Sequence, residues 1–271
     1  MGTRGQGGLL VTILLMKVWP LAGWFVAVAA VVYAQGPPAP SSGLSAQART
    51  QQEFDDWVDL VESSDPRAIV RLANEFLARY PQSGFIARVY QAQMLAYEQL
   101  DNYEGAVDAG RKAVRLSPEN LHILATLANL LPLGVTFGRT DDPRLDEAET
   151  YARRLLTRLP EAPGTLSNGE WKRTRLRLEV SAHSALGLVF LARSQPQPAI
   201  RELEWVTNRS PEADGLQYLR LGSAYTMARD FCAALQAFER AVNLGPEQVM
   251  QRAKQGEQNL GSLISGCPSK R

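Results

Sequence analysis

Two histidines, His122 and His183, two cysteines, Cys232 and Cys267, and the acidic group Asp141-Asp142 and Asp146-Glu147 are the side chains here best suited to holding a metal or moving a proton. A zinc site needs three or four ligands, and neither histidine has a partner at ligand spacing. The four acids could take calcium weakly. They also suit the start of a helix, where carboxylates offset the positive end of the macrodipole. The chain has no HExxH, CxxC, GxSxG, GxGxxG or GxxxxGK[ST] run, and so offers no zincin helix, redox pair, nucleophile elbow or phosphate cradle. The expectation is no catalytic residue, no metal site and no cofactor. Catalysis or metal binding is the weaker alternative.

The elements behind these side chains read as paired helices. Tyr218-Leu219-Arg220-Leu221-Gly222-Ser223-Ala224-Tyr225 sets three large side chains on one helix stripe. Ala234, Phe238 and Ala241 make a facing stripe on a second helix, and Pro246 stops it. Small Gly222 and Ala234 let the two helices approach closely. This pattern resembles a tetratricopeptide repeat (TPR). The resemblance implies an all-α fold, a TPR-like αα-superhelix in which each hairpin covers its neighbour's apolar seam.

Counting back from helix-ending prolines recovers four more copies, closed by Pro81, Pro118, Pro160 and Pro211. In the copy closed by Pro211, Leu186-Gly187, Phe190, Ala199, Leu203 and Val206 fill the same positions. Tyr90, Met94, Tyr97, Ala106 and Ala113 fit the copy closed by Pro118, with Gly110 a thin spot where a large residue is usual. The third copy keeps Leu124, Leu127-Ala128, Leu131, Ala148 and Leu155. The first offers Phe54, Trp57-Val58, Val61, Ile69, Ala73 and Phe76. The layout is five hairpins at about 50–83, 87–120, 121–162, 167–213 and 215–246, a cap at 247–264 and a tail at 267–271, with 46–266 forming the solenoid. Two segments exceed the family period of about 34: 132–143, rich in Gly and Pro, and 163–179, where Ser167-x-x-Glu170 reads as a capping box for a long helix to about Arg193. Trp171, Leu178 and Trp205 are expected inside the solenoid.

From Leu9 to Ala34 the chain is apolar apart from Thr12, Lys17 and small residues, and it ends on Val32-Tyr33-Ala34. Residues 1–34 therefore read as a signal peptide, with Met16 a possible true start and cleavage before Gln35. An uncleaved anchor is the alternative. Residues 35–45 read as a disordered linker. The expected location is exported, periplasmic or secreted. Overall there are 29 basic and 28 acidic residues; removing Arg4 and Lys17 with the leader leaves 27 against 28. That balance makes no case for nucleic acid.

The resemblance also implies where a partner lies, because in this family the first helix of each hairpin lines a concave groove. Carrying over positions 2, 5, 9 and 12 gives Arg88, Gln91, Leu95 and Glu98; then His122, Ala125 and Asn129; then Ser181, Ser184 and Leu188; then Leu216, Leu219 and Ser223. His183 falls at a core-facing position. Position 5 is never Lys or Arg, so the carboxylate clamp of some TPR proteins is absent. The groove of amides, hydroxyls and leucines suits an extended peptide or a partner's helix. The implied role is a monomeric protein-interaction scaffold of the cell envelope, with a membrane partner only if the N-terminal segment stays attached. A dedicated envelope assembly or secretion component is the alternative. Cys232, in the turn of the fifth hairpin, and Cys267, after the cap, are either unrelated thiols or a disulfide adding about 3 to 4 kcal/mol. Lys172-Arg173-Thr174-Arg175-Leu176-Arg177 is either a basic contact patch or a solvated helix face.

Overall fold

The structure is a computed structural model that describes residues 48–136, 138–159, 168–210 and 213–261. The proposed leader, the linker and Cys267 lie outside these residues, as does Ser167 of the capping box.

Short polar residues start most of the helices, each offering an oxygen to the first turn's unpaired amides. Thr50 accepts from Glu53 N and opens α1, Gln51–Glu62. Asp65, with Pro66 behind it, opens α2, Pro66–Arg79. Then follow α3, Ile86–Gln99, and α4, Tyr103–Leu116, capped by Asn102. Asn120 accepts from both His122 N and Ile123 N to start α5, Leu121–Leu130. Asp142 starts α6, Pro143–Arg158. Helix α7 is the longest, Asn168–Ala192, followed by α8, Pro196–Arg209. Asp214 caps α9, Gly215–Met227, and Asp230 caps α10, Phe231–Leu244. Helix α11, Glu247–Leu260, ends the array. No strand occurs among the described residues, and none of their helices is long and apolar enough to cross a membrane.

These helices form five hairpins and a terminal helix, an all-α solenoid-like superhelix. Each helix packs on its neighbours in the chain. The first helices also touch across hairpins: α5 on α7, α7 on α9, and α9 on α11.

Three of the hairpin turns share one backbone design. Asp101, Ser194 and Arg229 each take a left-handed φ, of 55°, 56° and 62°. The next residue's amide reaches back five positions in each case: Asn102 N to Tyr97 O at 2.9 Å, Gln195 N to Phe190 O at 2.8 Å, and Asp230 N to Tyr225 O at 3.0 Å. This six-to-one bond closes the helix ends as a Schellman turn does. The aromatic that precedes each of these turns, Tyr97, Phe190 or Tyr225, thus sits at the same place in all three.

The core is a chain of overlapping apolar clusters. Trp57, Leu60, Phe76 and Phe85 fill the first, with Trp57 stacked on Phe85 at 4.9 Å. Met94, Leu124, Leu127, Leu145 and Leu155 fill the next, with Leu178 inside it and Trp171 packed half-buried against it. Leu186, Phe190, Leu203 and Leu221 carry the core onward, and Phe238, Val249 and Leu260 close it.

Two expectations change. Gly110 is no thin spot, since a Cβ there would lie 2.6 Å from Leu127 Cδ2 and 2.7 Å from Met94 Sδ, so neighbouring side chains occupy the space. Trp205 is half-buried rather than interior. Its ring stacks on His183 at 3.9 Å, with the Arg209 guanidinium 5.1 Å from its centroid. The 132–143 insertion begins with a 3-10 turn, Leu131–Gly134, held by the Tyr103 hydroxyl donating to Leu131 O at 3.0 Å.

Candidate functional site

The polar residues that the repeat register assigns to the groove fall into two groups. One group is spent within the protein. Gln91 Oε1 accepts from Asn120 Nδ2 at 3.2 Å, tying α3 to the start of α5. Asn129 is 3% exposed. Its amide donates to Ala125 O at 3.0 Å and, across to α7, to Ser181 O at 3.0 Å and Ser181 Oγ at 2.9 Å. Asn129 therefore looks between α5 and α7, not into open space. Ser184 is likewise buried, donating to Gln217 Oε1 at 3.0 Å and accepting from Arg220 at 2.9 Å. Ser223 Oγ turns back to Leu219 O at 2.9 Å, and Leu219 and Leu216 pack half-buried on the last core cluster. Ala125 is buried, and Leu95 packs against the central cluster. So each of the junctions α3–α5, α5–α7 and α7–α9 carries a polar tie made of residues a ligand would otherwise want.

The second group keeps its polar atoms unused. Arg88 and His122 are exposed and Glu98 is half-buried, and none has a hydrogen-bond or ion-pair partner among the described residues. Desolvation pushes the Glu98 carboxyl up to about 7 and lowers the His122 imidazole below its usual value. Arg220, also half-buried, bonds among the described residues only to Ser184, and desolvation draws it down to about 10. Glu98, His122 and Arg220 thus touch water while neighbouring atoms strip away part of their hydration.

Arg220 and Gln217 were missed because the register rule points to the residue just before each, Leu219 and Leu216. A signal was present: Arg220 is the one charge inside an otherwise apolar and small run, Tyr218 to Ala224.

The remaining residues of chemical interest serve the scaffold. His183 Nδ1 lies 2.6 Å from Glu202 Oε2, joining α7 to α8. Asp142 caps α6 and pairs with Arg144, which holds its carboxyl down at about 2. Glu147 takes the Arg111 guanidinium in a two-pronged pair with Nε at 3.0 and 3.1 Å, while Arg193 bridges Asp146 and Glu149. Asp142, Asp146 and Glu147 are thus engaged with arginines, and the described residues hold no cluster of three His, Cys, Asp or Glu arranged for a metal. On the basic run, Arg175 pairs with Glu179 in its own helix. Cys232, at the second position of α10, is disulfide-bonded. No family model matches the chain, and no curated protein matches it.

Proposed function

We propose that this chain is a non-catalytic scaffold of TPR type, exported to the cell envelope, that holds an extended peptide or a partner's helix along its row of first helices. The observation that carries this reading is the set Arg88, Glu98, His122 and Arg220, on α3, α5 and α9. All four retain access to water and three feel desolvation, and none has an ion-pair partner among the described residues. A folded protein tends to satisfy its crowded polar groups internally, so charged groups without ion-pair partners on the second, third and fifth hairpins suit a ligand that brings those partners. Mixed charge and half-buried leucines favour a peptide over a nucleic acid.

Export follows from the N-terminal reading, and the partner is then a protein of the same compartment. N-terminal sequencing of exported material is expected to begin at Gln35. Intact Met1 or Met16 in the membrane pellet would instead show an anchor. The binding reading is tested by photo-crosslinking in the native envelope, with the crosslinker placed singly at Arg88, His122, Arg153 and Arg240. One discrete adduct from the two first-helix positions, with none from the two second-helix positions, supports it. The reverse pattern moves the partner to the other face.

A further inference from the structure

The seam between α7 and α9 has a hydrogen-bond polarity that can be read without seeing a proton. Arginine can only donate, so the Ser184 hydroxyl, 2.9 Å from Arg220 Nη1, must accept there. Its own hydrogen goes to Gln217 Oε1, 3.0 Å away, with the Gln217 carbonyl turned to Ser184 and its NH2 group facing the other way. The outcome is a cluster presenting donors only: the remaining N–H groups of Arg220 and the amide of Gln217, neither with an acceptor among the described residues.

Among the described residues no counter-charge pairs with Arg220, and Asp214 is the one acid whose field reaches it. It forms no ion pair with it within 4.0 Å, and its Oδ1 already accepts from Gln217 N at 3.1 Å to cap α9. Arg220 is also the only cation of α9, and α7 carries no Lys or Arg between Arg177 and Arg193. One positive fork with one amide beside it matches a monoanion with two oxygens. A phosphate dianion would call for a second cation.

We propose that Arg220, oriented by Ser184 and flanked by Gln217, is the receptor for a single carboxylate of the bound peptide. This rests on the groove reading above, deepens it by naming the anchoring group, and differs from the family's clamp in residues and positions. The carboxylate comes either from an Asp or Glu side chain or from a chain terminus. Either would lie against Arg220 in a two-oxygen, two-donor pair, the geometry that guanidinium favours.

The test uses the full mature chain and small probes at constant ionic strength. Acetate, N-acetylglycine (terminal carboxylate) and the α-amide of N-acetylaspartate (side-chain carboxylate) are titrated against acetamide as the uncharged control. NMR follows the Arg220 Nε–Hε and Gln217 side-chain amide resonances. Both are expected to shift saturably with the carboxylates, with affinity on the order of millimolar, and to ignore acetamide. The tighter of the two N-acetyl probes identifies the source. Arg220→Gln is expected to abolish saturation at Gln217. Arg220→Lys, which keeps the charge but loses the fork, weakens binding about tenfold, and thermal melts of both variants verify folding. A linear drift at Arg220 matching that of exposed Arg240, equal response to acetamide, or unchanged affinity in a folded Arg220→Gln protein overturns the proposal. Crosslinking from Arg88 and His122 that persists alongside such a result leaves the groove intact and removes only this subsite. Saturation without those crosslinks does the opposite.

Discussion

Polar side chains that the repeat register assigns to the groove do different work here, because burial and partners differ. Arg88 is exposed and unpaired, so Arg88→Ala is expected to change stability by no more than about 0.5 kcal/mol. Asn129→Ala removes the amide that ties Ala125 O to the Ser181 carbonyl and hydroxyl, and leaves a cavity between α5 and α7. A loss of about 1 to 3 kcal/mol is expected in urea denaturation. Glu98 sets a pH dependence of known sign. Its carboxyl titrates at about 7 in the fold against an ordinary 4.5, purely from desolvation. Below pH 4.5 both states hold the proton and no penalty exists. Between 4.5 and 7 the unfolded chain ionises first, so stability falls as pH rises, and above 7 the full penalty applies. Partial solvent access reduces it to about 1 to 2 kcal/mol. Glu98→Gln is therefore expected to gain stability at pH 8 relative to wild type and little at pH 4. Equal effects at both pH values would contradict the assignment.

Among the elements, small residues set how closely helices approach, and the cost of adding a methyl depends on what it meets. At Gly110, between α4 and α5, the obstacles are the Leu127 side chain and the Met94 sulfur, both able to shift. The strain of Gly110→Ala, about 1 to 3 kcal/mol, is partly offset by about 1 kcal/mol of helix propensity. At Gly215 a Cβ would lie 2.4 Å from both Gly245 Cα and Gly245 N, where α9 begins beside the end of α10. Backbone cannot give way as a rotamer does. Gly215→Ala is accordingly expected to be the more damaging of the two in denaturant midpoint, and the opposite order would mean that the hairpin end can open. The third hairpin shows the same logic in its insertion: Gly134 lies so close to Tyr103 that a Cβ would sit 2.3 Å from its Cζ, which fits the 3-10 turn onto α4.

Over the whole molecule, stability passes from hairpin to hairpin, so the ends decide how much of the array persists. Helix α11 covers the last seam with Val249, Ala253 and Leu260, and Gly256 lies against the Phe238 ring. Deleting residues 247–271 is expected to expose Phe238 and to lower hydrogen-exchange protection first in α10 and α9, with α3 and α4 little affected; uniform loss along the chain would show the array to be a single cooperative unit. The sequence by itself determined the all-α repeat architecture, because helix caps, prolines and large-small spacing act locally and recur along the chain. It also pointed to Arg88, Glu98 and His122, which stay available. It could not tell that Asn129, Ser181 and Ser184 tie one first helix to the next, or that Arg220 finds no ion-pair partner among the described residues. Those outcomes depend on which residues from hairpins some fifty positions apart arrive within 3 Å of one another, and only the packing of first helix on first helix sets that distance.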